Sequence, residues 1–184
     1  IVFTKQNISE EFDSIQAKDC CELAIRCYKK VANILPKEAK AHSDLSMAYF
    51  RAGKLEKAEL TAKKALLLSR SMSSSARAEC WNRMGIICTE SDPKLAQHSF
   101  CTAIASKHDF TEAWSNLGIF YFKQNNMKLA NQAFSRAQSA DPENAAAWLG
   151  QAEIARTIGD SDCVDLSRHS SELVSRQASL AYAY

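Results

Sequence analysis

Between Thr111 and Asn144 the apolar positions recur with the spacing of a helix, not the alternation of a strand. Trp114, Leu117 and Tyr121 stand at i, i+3 and i+7, one stripe down the side of a first helix. Ala130, Phe134 and Ala137 stand at i, i+4 and i+7 and give a second helix its matching stripe. Small residues at Gly118 and Ala130 allow two backbones to approach closely, and Asn125-Asn126 between the stripes suits a turn. Pro142 has no N–H to continue a helix, so the second helix ends before it. The pattern predicts a helical hairpin.

The same slots recur along the chain. The alanine slot of the second helix reads Ala24, Ala58, Ala96, Ala130 and Val164, with steps of 34, 38, 34 and 34. Four residues later an aromatic slot reads Tyr28, Ala62, Phe100, Phe134 and Arg168. The first-helix pair reads Leu45-Ser46, Met84-Gly85, Leu117-Gly118 and Gln151-Ala152. Five extra residues before Trp81 and one fewer before Ala96 account for the uneven steps. The filled slots of Trp114 to Pro142 resemble the tetratricopeptide repeat. That resemblance implies an all-α, right-handed superhelical solenoid, expected here as one array over residues 1–184. Its units are about 5–38, 39–72, 78–110, 111–144 and 145–178, followed by a partial helix. The Ser-rich insertion Arg70 to Ala76 is expected to bulge as an exposed loop. The opening unit has a poor first helix, with Glu11 and Phe12 in its Leu-Gly slots. The fifth keeps Trp148 and a turn at Gly159-Asp160 but puts Arg168 where an aromatic belongs.

Composition narrows the function. The 23 basic and 21 acidic residues nearly cancel, which argues against a broad nucleic-acid or membrane footprint. No apolar run is long enough to span a bilayer. The seven cysteines lack zinc or disulfide spacing and are expected to be reduced, buried thiols of a cytoplasmic or nuclear protein. There is no P-loop, Gly-rich dinucleotide turn, G-x-S-x-G or H-E-x-x-H, so neither catalysis nor a cofactor or metal is expected. The chain starts at Ile1 without Met and stops at Tyr184 inside an expected helix. A piece of a longer protein is expected, monomeric or weakly self-associating through its cut ends.

A protein-binding array presents the non-core faces of its first helices to its partners. Those slots hold Asp44, Met47, Phe50 and Arg51 in the second unit and Asn82, Arg83 and Ile86 in the third. Asn116, Ile119, Phe122 and Lys123 follow in the fourth, then Leu149, Glu153 and Arg156 in the fifth. The apolar members with basic neighbours would grip an extended segment or a helix; the alternative is that they touch neighbouring helices of the stack. A carboxylate clamp of the co-chaperone kind is disfavoured, because Asp44, Glu79 and Glu112 intrude on its slots. Trp81, Trp114 and Trp148 recur in one slot and are expected in the core between helices, not stacked on bases.

The fifth unit carries a closer likeness. Trp148-x-Gly150-Gln151-Ala152-x-Ile154-Ala155, Asp165-Leu166-x-Arg168-His169 with Glu172-Leu173, and Ala181-Tyr182-Ala183-Tyr184 are foreign to the general repeat. With Trp81-Asn82-x-x-Gly85, Ala96-Gln97-His98 and Ala137-Gln138-Ser139-x-Asp141-Pro142 they resemble the scaffold subunits of superkiller complexes. The likeness is strongest from Trp81 to Tyr184. It implies a non-catalytic scaffold whose partners are an RNA helicase and WD-repeat subunits, in exosome-linked 3′-to-5′ decay of cytoplasmic messenger RNA, with no direct nucleic-acid contact of its own. Arg168 and His169, polar in slots usually given to core, are its surface candidates. The alternative is an unrelated repeat adaptor that holds a peptide in its concave groove.

Overall fold

The computed structural model describes residues 19–159, 161 and 163–181, with the side chains of residue 71 and of 176–181 left aside. Every regular element among them is helical: α1 (19–34), α2 (Ala39–Arg51), α3 (Leu55–Leu68), a 3₁₀ turn (Ser69–Ser71) and α4 (Ser74–Cys88) come first. They are followed by α5 (Pro93–Ser106), α6 (Thr111–Lys123), α7 (Met127–Ala140), α8 (Ala145–Ile158) and α9 (Cys163–Ala181). The chain divides into two compact units, the first ending at Ser91 and the second starting at Asp92. The boundary lies inside the 78–110 repeat, so its helices α4 and α5 belong to different units. Glu11 and Phe12, Asp160 and Tyr182 to Tyr184 lie outside the described residues.

The predicted turn at Asn125-Asn126 is present, and the other helix ends are closed by similar chemistry. Asn125 takes a left-handed conformation at φ 58°, which asparagine tolerates better than most residues. The Asn126 side chain then caps α7 by accepting from the Leu129 N–H at 3.2 Å. Asp92 caps α5 in the same way, with Pro93 in the first turn where a missing N–H does no harm. Asn144 caps α8, accepting from the Ala147 N–H at 3.0 Å. Gly53 and Gly159, both at positive φ, close α2 and α8.

In the first unit Ile25 and Ala32 of α1 pack against Ala41, Leu45 and Ala48 of α2. Ala58, Ala62 and Ala65 bury the inner face of α3. Ala24 is half-buried and Tyr28 exposed, so the slots of the opening repeat are less covered than those of α3. In the second unit Ala96 and Phe100, then Ala130 and Phe134, sit where the repeat demands and are fully buried. Phe134, 1% exposed, anchors a cluster with Ala130, Ala137, Ala147 and Ile154. Its ring lies over two glycines: a Cβ on Gly118 would come within 2.6 Å of it, and one on Gly150 within 2.2 Å.

The tryptophan slot carries a bond that its spacing did not announce. Trp114 donates its indole N–H to the His108 carbonyl at 3.0 Å, and Trp148 donates to the Pro142 carbonyl at 2.8 Å. Each bond reaches back six residues and ties the helix to the turn that enters it. His42 fills the same slot in α2, and its Nε2 meets the Pro36 carbonyl at 3.0 Å over the same interval. The histidine therefore replaces the tryptophan in hydrogen bonding as well as in packing.

Two sequence expectations need correction. The Ser-rich insertion is not a loop throughout: Ser69–Ser71 form a 3₁₀ turn and Ser74 already opens α4. Ser69 is buried and donates to the Leu66 carbonyl at 2.9 Å, so the extra residues prolong helical structure at both ends. The second correction concerns α9. Val164 is 67% exposed and does not fill the alanine slot, while Arg168 is exposed, as a surface candidate should be. The buried positions are Ser170 and Leu173, with Leu166 half-buried, each 36 residues beyond its counterpart in α7. Two extra residues before Cys163 shift the register, and Ser170 donates to the Ala145 carbonyl at 3.0 Å to pin α9 on α8. The expectation of buried thiols also holds only in part: Cys80 and Cys88 are buried, Cys21 and Cys163 half-buried, and Cys20, Cys27 and Cys101 exposed, all of them free.

Candidate partner-binding faces

On the first-helix face of the first unit, Asp44 and Arg83 come together. The Arg83 guanidinium donates to the Asp44 carboxylate at 2.5 Å and to the Ser43 hydroxyl at 3.0 Å, joining α2 to α4 with both charged side chains about three-quarters covered. Asn82, offered as a groove residue, is 7% exposed and belongs to the interior. Met47, Phe50 and Ile86 are half-buried, and Arg51 stands exposed at the end of α2. This face is largely occupied with holding its own helices together.

In the second unit the first-helix residues behave differently from one another. Phe122 is partly buried and packs on the Phe134 cluster, so it is structural. Asn116 is half-buried and Lys123 exposed. Ile119 and Leu149 are 42% and 51% exposed and form the apolar surface of this face. Glu153 and Arg156 are paired along α8, Nε to carboxylate at 2.9 Å. Of the two surface candidates on α9, Arg168 pairs with Asp165 one turn back, and both remain exposed to solvent. The His169 ring stands edge-on to Trp148, centroids 4.7 Å apart.

Three features of the outer surface escaped the sequence reading. Gln151, placed by periodicity in a leucine slot, holds α8 to α7: it accepts from Gln138 at 2.8 Å and donates to Asn131 and Ser135 at 3.2 and 3.1 Å. Beside it a hollow of about 620 Å³ runs between α6 and α7, floored by Trp114 and Tyr121 and edged by Leu129 and Arg136. In the first unit Glu22 of α1 and Lys54 at the head of α3 form an ion pair that joins two second helices. The Lys54 hydrogen bond and charge, helped by Arg26 and Lys57, hold the Glu22 carboxyl below its ordinary range. Polar residues on outward helix faces carry no periodic signal to separate a contact from a solvated side chain.

Among the described residues no helix is long and apolar enough to cross a membrane, and no three His, Cys, Asp or Glu side chains gather as metal ligands. Burial pushes the Cys80 thiol up from its ordinary range, which makes it a poor nucleophile. Stacked helical hairpins that hold one another through alanine and aromatic slots define an array for protein interaction, and the chain belongs to the tetratricopeptide repeat family. That family matches at residues 39–72, 90–142 and 121–162.

The relatives narrow the class. The chain is 34% identical over 168 residues to superkiller complex protein 3 of Mus musculus, covering 89% of this chain and 10% of that protein. It is 33% identical over 156 residues to tetratricopeptide repeat protein 37 of Xenopus laevis, covering 83% of this chain and 9% of the relative. Superkiller protein 3 of Saccharomyces cerevisiae matches over 47% of the chain at 31% identity. The chain thus spans about a tenth of the length of the animal relatives. Among solved structures it is similar to MamA, with a TM-score of 0.65, 24% identity, and 91% of this chain and 96% of that one covered. MamA residues 41-end from Desulfovibrio magneticus RS-1 match with a TM-score of 0.61 at 18% identity, over 95% and 93%. At these identities the likeness to MamA carries the fold alone.

Proposed function

We propose that this chain is a segment of a superkiller-type scaffold, a non-catalytic array that holds an RNA helicase and WD-repeat subunits for exosome-linked 3′-to-5′ decay of messenger RNA in the cytoplasm. The observation that carries it is the extent of the sequence likeness: the superkiller relatives align along 89% and 92% of the chain, well beyond one repeat. A likeness confined to the repeat signature would follow the slots and leave the departures unexplained. Here it takes in the fifth unit, where the register shifts and Gln151 replaces a leucine. The residues that the core leaves exposed on these faces are Arg51 in the first unit, and Ile119, Leu149 and Lys123 in the second.

The test is capture from a cytoplasmic lysate with mass-spectrometric identification, using the wild-type chain and the variant Arg51→Glu, Lys123→Glu. Arg83 is left intact, because its reversal would set two carboxylates against each other across α2 and α4. Recovery of the helicase and WD-repeat subunits supports the scaffold reading. Recovery of one unrelated partner, lost in the variant, would replace it with a groove-binding adaptor.

A further inference from the structure

We propose that the outer face shared by α1 and α3 docks an acidic, amphipathic segment of a protein partner. Leu23, Arg26, Lys30 and Asn33 follow one another along one side of α1 at i, i+3, i+7 and i+10 and line a hollow of about 330 Å³. Lys57, Leu60 and Lys64 follow one another along one side of α3 at i, i+3 and i+7. The Glu22–Lys54 ion pair joins the two helices at their N-terminal ends, where Arg26 of one row and Lys57 of the other both act on the Glu22 carboxylate. One carboxylate thus sits among three cations, and Lys54 already holds it.

The rest of the face is apolar as well as basic. Leu23 and Leu60 are 56% and 72% exposed, and each is flanked by charge. Lysine and arginine stems would extend the apolar strip while their heads ring it. The charge is local to this unit: residues 1–91 carry 15 basic and 11 acidic side chains, and residues 92–184 carry 8 and 10. A helix or extended strand with leucine-like residues on one side and glutamates beside them matches both properties. A nucleic-acid backbone would meet the charge but leave the leucines unused, and this face offers no row of aromatic rings on which bases would stack.

The test is fluorescence anisotropy with a labelled synthetic peptide of about 16 residues carrying Leu at i, i+3, i+4 and i+7 and Glu elsewhere. A labelled oligouridylate is the second probe. The wild-type chain is compared with Lys30→Glu/Lys57→Glu, with Leu23→Ser/Leu60→Ser, and with Lys94→Glu/Lys128→Glu as an equal change of charge on the other unit. All six positions are exposed, and circular dichroism confirms that each variant stays helical. The expected result is peptide binding that weakens by about tenfold or more in both the Lys30/Lys57 and the Leu23/Leu60 variants and stays within about twofold of wild type in the control. Absence of peptide binding overturns the proposal, as does equal loss in the control variant. So does tighter binding of oligouridylate that ignores the leucine substitutions, which would make the face a nucleic-acid site.

Discussion

Replacing Gly150 with alanine ought to help α8, since alanine is the better helix former by about 1 kcal/mol. The structure predicts the opposite. A Cβ built there lies 2.2, 2.4 and 2.5 Å from three atoms of the Phe134 ring, where carbons in contact prefer about 3.5–4.0 Å. The ring would have to retreat by more than about 1 Å. It has nowhere to go, being 1% exposed and bounded on its other flank by Gly118, where a Cβ would also fall within 2.9 Å of three ring atoms. Overpacking of this depth belongs at or above the upper end of the usual range of about 1–3 kcal/mol. Set against the propensity gain, the net loss is about 2 kcal/mol. In a Phe134→Leu background the atoms nearest Gly150 are gone, and the same substitution should become neutral or stabilise by up to about 1 kcal/mol. The assay is a double-mutant cycle measured by urea unfolding, with hydrogen exchange of the α7 and α8 amides as a local readout, because repeat arrays need not unfold in one step. A coupling of about 2–3 kcal/mol is expected. Gly150→Ala costing the same in both backgrounds would refute the proposed clash.

Three further outcomes follow from the same geometry. His42→Leu should lose about 1–3 kcal/mol, since it leaves the Pro36 carbonyl without its partner, whereas His42→Trp, able to donate as Trp114 and Trp148 do, should lose less; thermal melts distinguish them. Asp44→Ala should destabilise by about 1–2 kcal/mol and couple to Arg83→Ala, because it strands a guanidinium that is three-quarters covered; additive losses would mean the pair is idle. The Glu22 carboxyl, held below its ordinary range by Lys54, contributes stability that is full above that range and lost as pH falls through its lowered value. Carbon-detected NMR titration should see that value return toward normal in Lys54→Ala, and an unmoved titration would remove the pair from account.

What was legible in the sequence was whatever the core requires at fixed intervals. Phe134, Ala130 and Ala137 could be placed because a ring between two helices needs small residues around it, and the turn at Asn125-Asn126 because asparagine suits one. The register of α9 was misplaced for a physical reason. A step of 34 still lands on Val164, an acceptable core residue, so the only misfit in these two slots is Arg168, which reads as a degenerate repeat as easily as a shifted one. Only Ser170 seated against the Ala145 carbonyl shows where the helix lies. The Asp44–Arg83 bond was equally silent: 39 residues separate the partners, and each alone reads as a solvent-facing charge.

That pair decides how the first-helix face of the first unit is to be used. Arg83 spends its Nη1 on Asp44 and Ser43, so an incoming carboxylate would meet a guanidinium whose charge is already balanced. A second carboxylate gains little from a guanidinium already paired and three-quarters covered, and it would lie against the charge of Asp44. Asn82 is buried, and Met47, Phe50 and Ile86 are half-covered already. A partner therefore gains more where large side chains remain in water and cations outnumber their counterions, as along Leu23, Arg26 and Lys30 of α1 and Lys57 and Leu60 of α3. The first-helix face of this unit holds the repeats together, and its second-helix face is left to receive a partner.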